Sequence, residues 1–346
     1  MGLNRMGRLA GLMAIGALAV AACGGSTATP APATAAASQG AASQAAASQG
    51  AASQGAASQG AASGATIGVA FPNSDTFLSR VQDGMKAEAA AKGVTVNITD
   101  AKDDTAAQLS QVENFVSQKV SAIIVVPVDT SAAQPMADAA KAANIPIVFV
   151  NRNPSIAGVP YVGSDSLYAG TVEMEQLAKD AGGKGDVVIL QGQVSNEAAV
   201  LRTKGCNDVV AKNPGMKVVA TQAGDWDRAK GQSITENWIQ SGTLKAGDVV
   251  CANNDEMALG AINALKAGKL LDTVFVGGVD ATSEALAAMQ AGDLEVTVFQ
   301  DAKGQGKGGV DAAVDLIAGK TIPNNLVDIP YQLVTPDNIS QFLGAN

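Results

Sequence analysis

The chain of 346 residues contains no histidine. That removes the commonest general base, the usual middle member of a nucleophilic triad and the commonest metal ligand. Cysteine is nearly absent as well: Cys23, Cys206 and Cys251 are the only three. They have no metal-ligand spacing, so neither a metal site nor a cofactor is expected. There is no nucleophile elbow either, and the composition points away from an enzyme. Net charge is −9 and no basic cluster offsets it, which argues against a nucleic-acid partner. Aromatic residues make up only 3% of the chain, so an aromatic in a loop is informative. Beyond the N-terminus no apolar run reaches membrane-spanning length.

The N-terminal segment has the pattern of an export signal. Arg5 and Arg8 precede an uncharged apolar run from Leu9 to Val20, which ends in Val20-Ala21-Ala22-Cys23. Small residues before a cysteine suit cleavage, and the thiol is then a nucleophile for acylation. Residues 1–22 are thus expected to be a lipoprotein signal peptide, and Cys23 the site of lipid attachment. Position 6 is Met rather than Ser or Thr, so N-myristoylation is unsupported. Residues 23–64 follow as an Ala/Gly-rich segment with Ser-Gln every five residues from Ser38 to Gln59. That period fits neither a helix nor a strand, and no large apolar side chain is there to offset ordering entropy. A flexible tether with a reach of about 35 Å is expected.

From Ala65 onward the pattern is strand then helix, repeated. Thr66 to Phe71 is a short apolar strand; Leu78, Val81, Met85 and Ala89 mark a helical face closed by Gly93. Val94, Val96 and Ile98 alternate, and Leu109, Val112, Phe115 and Val116 form the next stripe, with Asp104 or Thr105 as its N-cap. Ala122 to Val126 and Ile145 to Val150 are continuous apolar runs, as in parallel strands buried on both faces. A second series starts near residue 168, with strands expected at Val187–Leu190, Lys217–Thr221, Asp248–Ala252, Val274–Val279 and Leu294–Phe299. Helical patterns between them include Glu256–Ala267 and Ser283–Met289. Two such series predict an α/β chain of two doubly wound, Rossmann-like parallel-sheet lobes.

Ligands on such sheets bind beyond the carboxyl ends of the strands. Those ends carry Asn73 and Asp75 with Phe77, Asn151-Arg152, Gln191, Trp226 within Asp225–Arg228, Asn254, Asp280 and Gln300. Loops are polar anyway, and single residues here also suit turns and caps. Asp255 reads as a cap for the helix beginning at Glu256, and Asn153 as a turn residue before Pro154. Together, however, planar carboxylate, guanidinium and amide groups suit vicinal hydroxyls, and Phe77 and Trp226 suit the C–H face of a ring. Trp238 lies inside a helical pattern and is expected in the core. Cys206 is expected near the start of a helix and Cys251 in a strand. Export would permit a disulfide, but helix-face and strand-interior cysteines often point into different layers, so two buried free thiols are expected.

The order of these segments resembles the periplasmic sugar-binding proteins of the ribose, galactose and inositol type over essentially all of residues 65–346. The densest match is Asn254-Asp255-Glu256-Met257-Ala258-Leu259-Gly260. Arg202 and Gly205 match the family's ligand arginine and following glycine, Trp226 its ring-stacking aromatic, Asp280 a ligand aspartate and Gln300 a hinge-region glutamine. Asn151-Arg152 stands where ribose binders have Asp-Arg, and Leu78 where they carry a second aromatic. Val-Asn-Arg, VDAT (Val279 to Thr282) and VFQDAKGQG (Val298 to Gly306) are more similar to inositol-type members.

The resemblance implies a type I periplasmic binding protein fold with a three-strand hinge. Residues 65–165 plus 301–330 are expected to form lobe one, and 166–300 plus 331–346 lobe two. It implies a monomeric solute-binding lipoprotein on the extracytoplasmic membrane face that delivers its ligand to an ABC transporter permease. The implied ligand is a monosaccharide or cyclitol: myo-inositol first, with ribose, xylose and galactose as competitors. The alternative is a receptor subunit for a chemotaxis or sensor-kinase system. A regulator of the same fold would need a DNA-reading helix pair where this chain has a signal and a tether.

Overall fold

The computed structural model describes residues 62–345. The expected signal peptide, the expected lipid-attachment residue Cys23 and nearly all of the expected tether lie outside the described residues. The described residues form one compact unit, which contains two layered lobes. In the first, the elements run β1 (Thr66–Phe71), α1 (Thr76–Lys92), β2 (Thr95–Asp100), α2 (Thr105–Ser117), β3 (Ala122–Val125), α3 (Gln134–Ala142), β4 (Ile147–Val150) and β5 (Tyr161–Gly163). The second continues with α4 (Ser166–Asp180), β6 (Lys184–Gln191), α5 (Glu197–Val210), β7 (Gly215–Ala223), α6 (Arg228–Gln240), β8 (Val249–Ala252), α7 (Asp255–Gly268), β9 (Phe275–Gly277), α8 (Ser283–Ala291) and β10 (Thr297–Phe299). The chain then returns to the first lobe through α9 (Ala302–Ile317) and β11 (Leu326–Asp328), and to the second through β12 (Gln332–Val334).

The six-stranded sheet has the order β2-β1-β3-β4-β5-β11, with every pairing parallel. The second sheet runs β7-β6-β8-β9 in parallel. Isolated bridges Gly277–Val296 and Asp280–Phe299 carry it on to β10, and β12 pairs antiparallel with β10. Strand order therefore reverses beside β1 and β3 in one lobe and beside β6 and β8 in the other. Loops leaving adjacent strands at such a point diverge to opposite faces and leave a crevice at the strand ends.

The apolar runs are where full burial demands them. Every residue of β3, β4 and β8 is buried, whereas β2, at the sheet edge, alternates between exposed and half-buried. Leu78, Val81, Met85 and Ala89 form the buried face of α1, and Gly93 ends it in the left-handed conformation. Asp104 caps α2. Trp238 is in the core of lobe two. Three short strands, β5, β11 and β12, and the glycine-rich α9 are additions to the expected pattern. Their apolar content is too thin for periodicity to reveal; they form because a neighbouring strand or helix is already in place.

Two sequence expectations change. Asp255 does not cap α7: Asn254 does, accepting the Met257 N–H at 3.1 Å. Asp255 is fully buried, and its carboxylate accepts the Thr282 N–H and the Thr297 hydroxyl, both at 2.7 Å. The thiols are not free: Cys206, in the second half of α5 rather than near its start, and Cys251 are joined by a disulfide. Helix α5 packs on β6 and β7, and both cysteines face the same apolar layer. Among the described residues, no helix is long and apolar enough to cross a membrane.

Candidate functional site

A cavity of about 250 Å³ lies at the carboxyl ends of both sheets. From the first lobe it is lined by Asp75, Phe77, Asn151 and Arg152; from the second, by Arg202, Trp226, Asn254, Asp280 and Gln300. Of the residues expected here, Gln191 is not on its wall, and neither is Asn73. Its amide is instead spent in the loop, donating to Asp103 at 2.8 Å and accepting the Asp75 N–H at 3.1 Å.

In lobe one the side chains are held lightly. Asp75 is the N-cap of α1 and accepts the Leu78 N–H at 2.7 Å. Burial raises its pKa, with the Leu78 amide and Arg152 opposing. Arg152 is 4% exposed and donates to the Pro127 carbonyl at 2.8 Å. Burial lowers its pKa, and Asp75 partly restores it. Asn151 takes a left-handed φ of 67° and donates to Gln305 at 2.9 Å.

Lobe two holds a denser network. Arg202 projects from α5, whose close approach to α4 requires Gly205: a Cβ there would come within 2.5 Å of the Thr171 nitrogen. The guanidinium donates to the Asn253 carbonyl at 2.6 Å, Gln300 at 2.8 Å and the Tyr331 hydroxyl at 2.6 Å. Burial works against its charge, but Tyr331 and Asp280 outweigh that and raise its pKa. Asp280 is 4% exposed with a φ of 126°. Burial drives its carboxyl well above the ordinary range, with Arg202 pulling the other way. A carboxyl and a guanidinium this buried are poised to gain from a polar ligand that supplies further hydrogen bonds.

Trp226 lines the same cavity in a strained left-handed conformation, φ 68°. Such strain persists only where the surroundings over-determine it, and here they do. The indole Nε1–H donates to Asn196 at 3.2 Å, the Arg202 guanidinium lies 5.7 Å from the ring centroid, and Asn254 donates to the Trp226 carbonyl at 3.3 Å. Gly192 lies against the ring, where a Cβ would sit 2.1 Å from an indole carbon. The wall also includes Asn196, Arg228, Glu256 and Thr282, which strand-end reasoning did not single out as site residues. Arg228 grips Glu256 at 2.8 and 3.1 Å and Glu284 at 2.6 Å. Asn196 had one available signal: it follows the β6 end by five residues, just ahead of a helix.

A model of the periplasmic binding protein domain matches residues 67–321. A Rhizobium meliloti protein named for rhizopine binding is 44% identical over 281 residues, covering 79% of this chain and 90% of that one. A xylitol-binding protein of Mycolicibacterium smegmatis is 35% identical over 277 residues, covering 79% and 78%. Among solved structures, an ABC transporter solute-binding protein from Bacillus halodurans with bound myo-inositol superposes with a TM-score of 0.79 at 42% identity, covering 82% of this chain and 99% of that one. All three are binding proteins rather than enzymes. With both lobes, their strand order and the matched span in agreement, the chain belongs to the periplasmic binding protein domain family.

Proposed function

We propose that this chain is the solute-binding lipoprotein of an ABC importer and that it clamps myo-inositol or a close cyclitol between its lobes. One observation carries the reading: a single small cavity presents a buried guanidinium from each lobe, the carboxyls of Asp75 and Asp280, and an indole face. Planar groups of this kind match vicinal hydroxyl pairs, and the indole matches the C–H face of a ring. At about 250 Å³ the cavity falls below the roughly 300–1,000 Å³ of drug-sized sites, which favours a molecule of monosaccharide size. The bound myo-inositol of the Bacillus halodurans protein supports the cyclitol over the acyclic xylitol of the mycobacterial relative.

In this proposal lobe one is residues 65–165 with 301–330, and lobe two is 166–300 with 331–346. The chain passes between the sheets three times, between β5 and α4, β10 and α9, and β11 and β12. Three strands bending together form a hinge, and a ligand touching both lobes favours the closed state. The protein acts as a monomer, and its closed form is what the permease recognises. A thermal-shift and calorimetry panel of myo-inositol, ribose, xylose, galactose and xylitol tests the ligand. Myo-inositol is expected to bind tightest, raising stability by roughly 2.7 kcal/mol at 100-fold its Kd; tighter binding of any competitor removes the cyclitol assignment. For the anchor, intact-protein mass spectrometry is expected to show acylated Cys23 as the first mature residue, and Cys23→Ser is expected to move the protein to the soluble fraction. An unmodified N-terminus elsewhere sinks the lipoprotein reading.

A further inference from the structure

Helices α1, α2, α4, α6, α7, α8 and α9 each begin at a residue whose side chain accepts an N–H of the first turn. Helix α5 does not. Its N-cap is Asn196, among the best capping residue types, yet the side chain makes no cap bond. Asn196 is 1% exposed, and its amide points across the cleft. Oδ1 accepts the Trp226 indole N–H at 3.2 Å, while Nδ2 donates to the Val128 carbonyl of lobe one at 3.1 Å and, at a longer 3.4 Å, to Gln193 and the Ser195 hydroxyl of its own lobe. Beside it the Ser195 carbonyl accepts the Thr130 N–H at 3.3 Å and the Thr130 hydroxyl at 3.2 Å.

We propose that Asn196 is a positioning residue that couples the Trp226 ring seat to lobe closure. The inference rests on the reading of Trp226 as a ligand-facing platform. Oδ1 and Nδ2 are the two ends of one planar amide, so the orientation that serves one determines the other. With the lobes closed, Val128 holds Nδ2 and thereby aims Oδ1 at the indole. With the lobes apart, Nδ2 keeps only the longer contacts to Gln193 and Ser195, and the uncapped N–H groups at the start of α5 compete for Oδ1. The indole is then released from its hydrogen bond. A ligand ring therefore meets a fully formed seat only as the lobes close, which places the effect mainly on dissociation.

The experiment uses Trp238→Phe as the parent, leaving Trp226 as the sole tryptophan. Asn196→Asp keeps an acceptor for the indole and a good N-cap but loses the donor to Val128; Asn196→Ala loses both bonds. Thr130→Val removes a neighbouring cross-lobe bond without touching Asn196. With the tightest ligand of the panel at saturation, which closes the lobes, acrylamide quenching of Trp226 is expected to rise in both Asn196 variants and to stay at the parent value in Thr130→Val; without ligand, where the lobes are apart, all are expected to quench like the parent. With the tightest ligand of the panel, Asn196→Asp is expected to dissociate about tenfold faster while its association rate changes by no more than about threefold. Ligand-bound quenching and dissociation equal to the parent in both Asn196 variants would overturn the proposal. So would a rise in Thr130→Val as large as in Asn196→Asp, since that reports loosened lobes rather than a coupling through Asn196. If no panel molecule binds the parent, the ligand reading fails, and ligand-free quenching decides this one separately: a rise in the Asn196 variants would show that Asn196 holds the indole without lobe closure and would overturn the coupling.

Discussion

The two lobes share a strand order but hold their ligand-facing groups differently. In lobe two, Arg202 is tied to Asn253, Gln300 and Tyr331, its helix is joined to β8 by the Cys206–Cys251 disulfide, and Trp226 is wedged between Gly192, Arg202 and Asn196. In lobe one, Arg152 has a backbone carbonyl as its hydrogen-bond partner, and Asp75 is occupied mainly with capping its own helix. In the proposed clamp, lobe two would be the preorganised platform and lobe one a cover whose charged groups gain most from what they close upon. Preorganisation lowers the ordering cost of binding, so the ligand is expected to meet lobe two first.

The largest expected effect separates the two arginines. Arg202→Ala and Arg152→Ala are each expected to weaken ligand binding by on the order of 2–5 kcal/mol, read by calorimetry. Only Arg202→Ala is expected also to lower the Tm of the ligand-free protein, because it alone leaves several buried partners unpaired. Equal Tm losses would abolish the distinction between platform and cover.

Next in size is the disulfide. It closes a separation of 45 residues, and a crosslink of that span contributes roughly 2–4 kcal/mol. The paired substitution Cys206→Ser with Cys251→Ser is expected to lower Tm and, since Cys206 lies one turn from Arg202, to weaken binding as well. Mass spectrometry after alkylation under denaturing, non-reducing conditions should modify neither thiol in the wild type. Modification of both would restore the free-thiol expectation.

The smallest effect sharpens the comparison at the seam. Burial pushes the Glu197 carboxyl of lobe two up to about 7, opposed by Arg202 and by the Asn153 amide of lobe one, with Asp165 adding to the rise. A carboxyl raised from 4.5 binds more protons folded than unfolded, so its contribution to stability is present at low pH and is lost as pH rises through about 7. Burial raises Asp255 and Glu295 to about 7 too, with the same sign. Tm is therefore expected to fall between pH 5 and pH 8. Glu197→Gln is expected to flatten that slope and to raise the pH 8 value by about 2–4 °C. An unchanged slope would remove Glu197 from the seam.

Much of the cavity wall was legible because each strand of a doubly wound sheet delivers its next residues to the same edge. The places of Asp75, Arg152, Asn254 and Asp280 on that wall could be read from strand ends alone; Arg202 and the proposed role of Trp226 also needed the family resemblance. Asn73 does not reach the wall because a loop amide serves its neighbours as readily as a cavity. Asp255 was misread because a cap and a buried tie differ by one residue at a helix start, and only the position of Thr282 and Thr297 decides between them. Asn196 stayed hidden because a capping residue before a helix gives no sign that its side chain turns elsewhere.

The sequence by itself determined the periodicities, and with them the two βα series, their buried central strands and the kinds of polar group at their ends. These are local properties, set by side-chain spacing and backbone preference within a few residues. Only the tertiary structure decided that Cys206 and Cys251 share a layer, that Arg202 reaches Tyr331 across 129 residues of sequence, and that Asn196 spans the cleft. Such contacts depend on how helices lie across sheets and how one lobe meets the other, and no short-range pattern encodes that geometry.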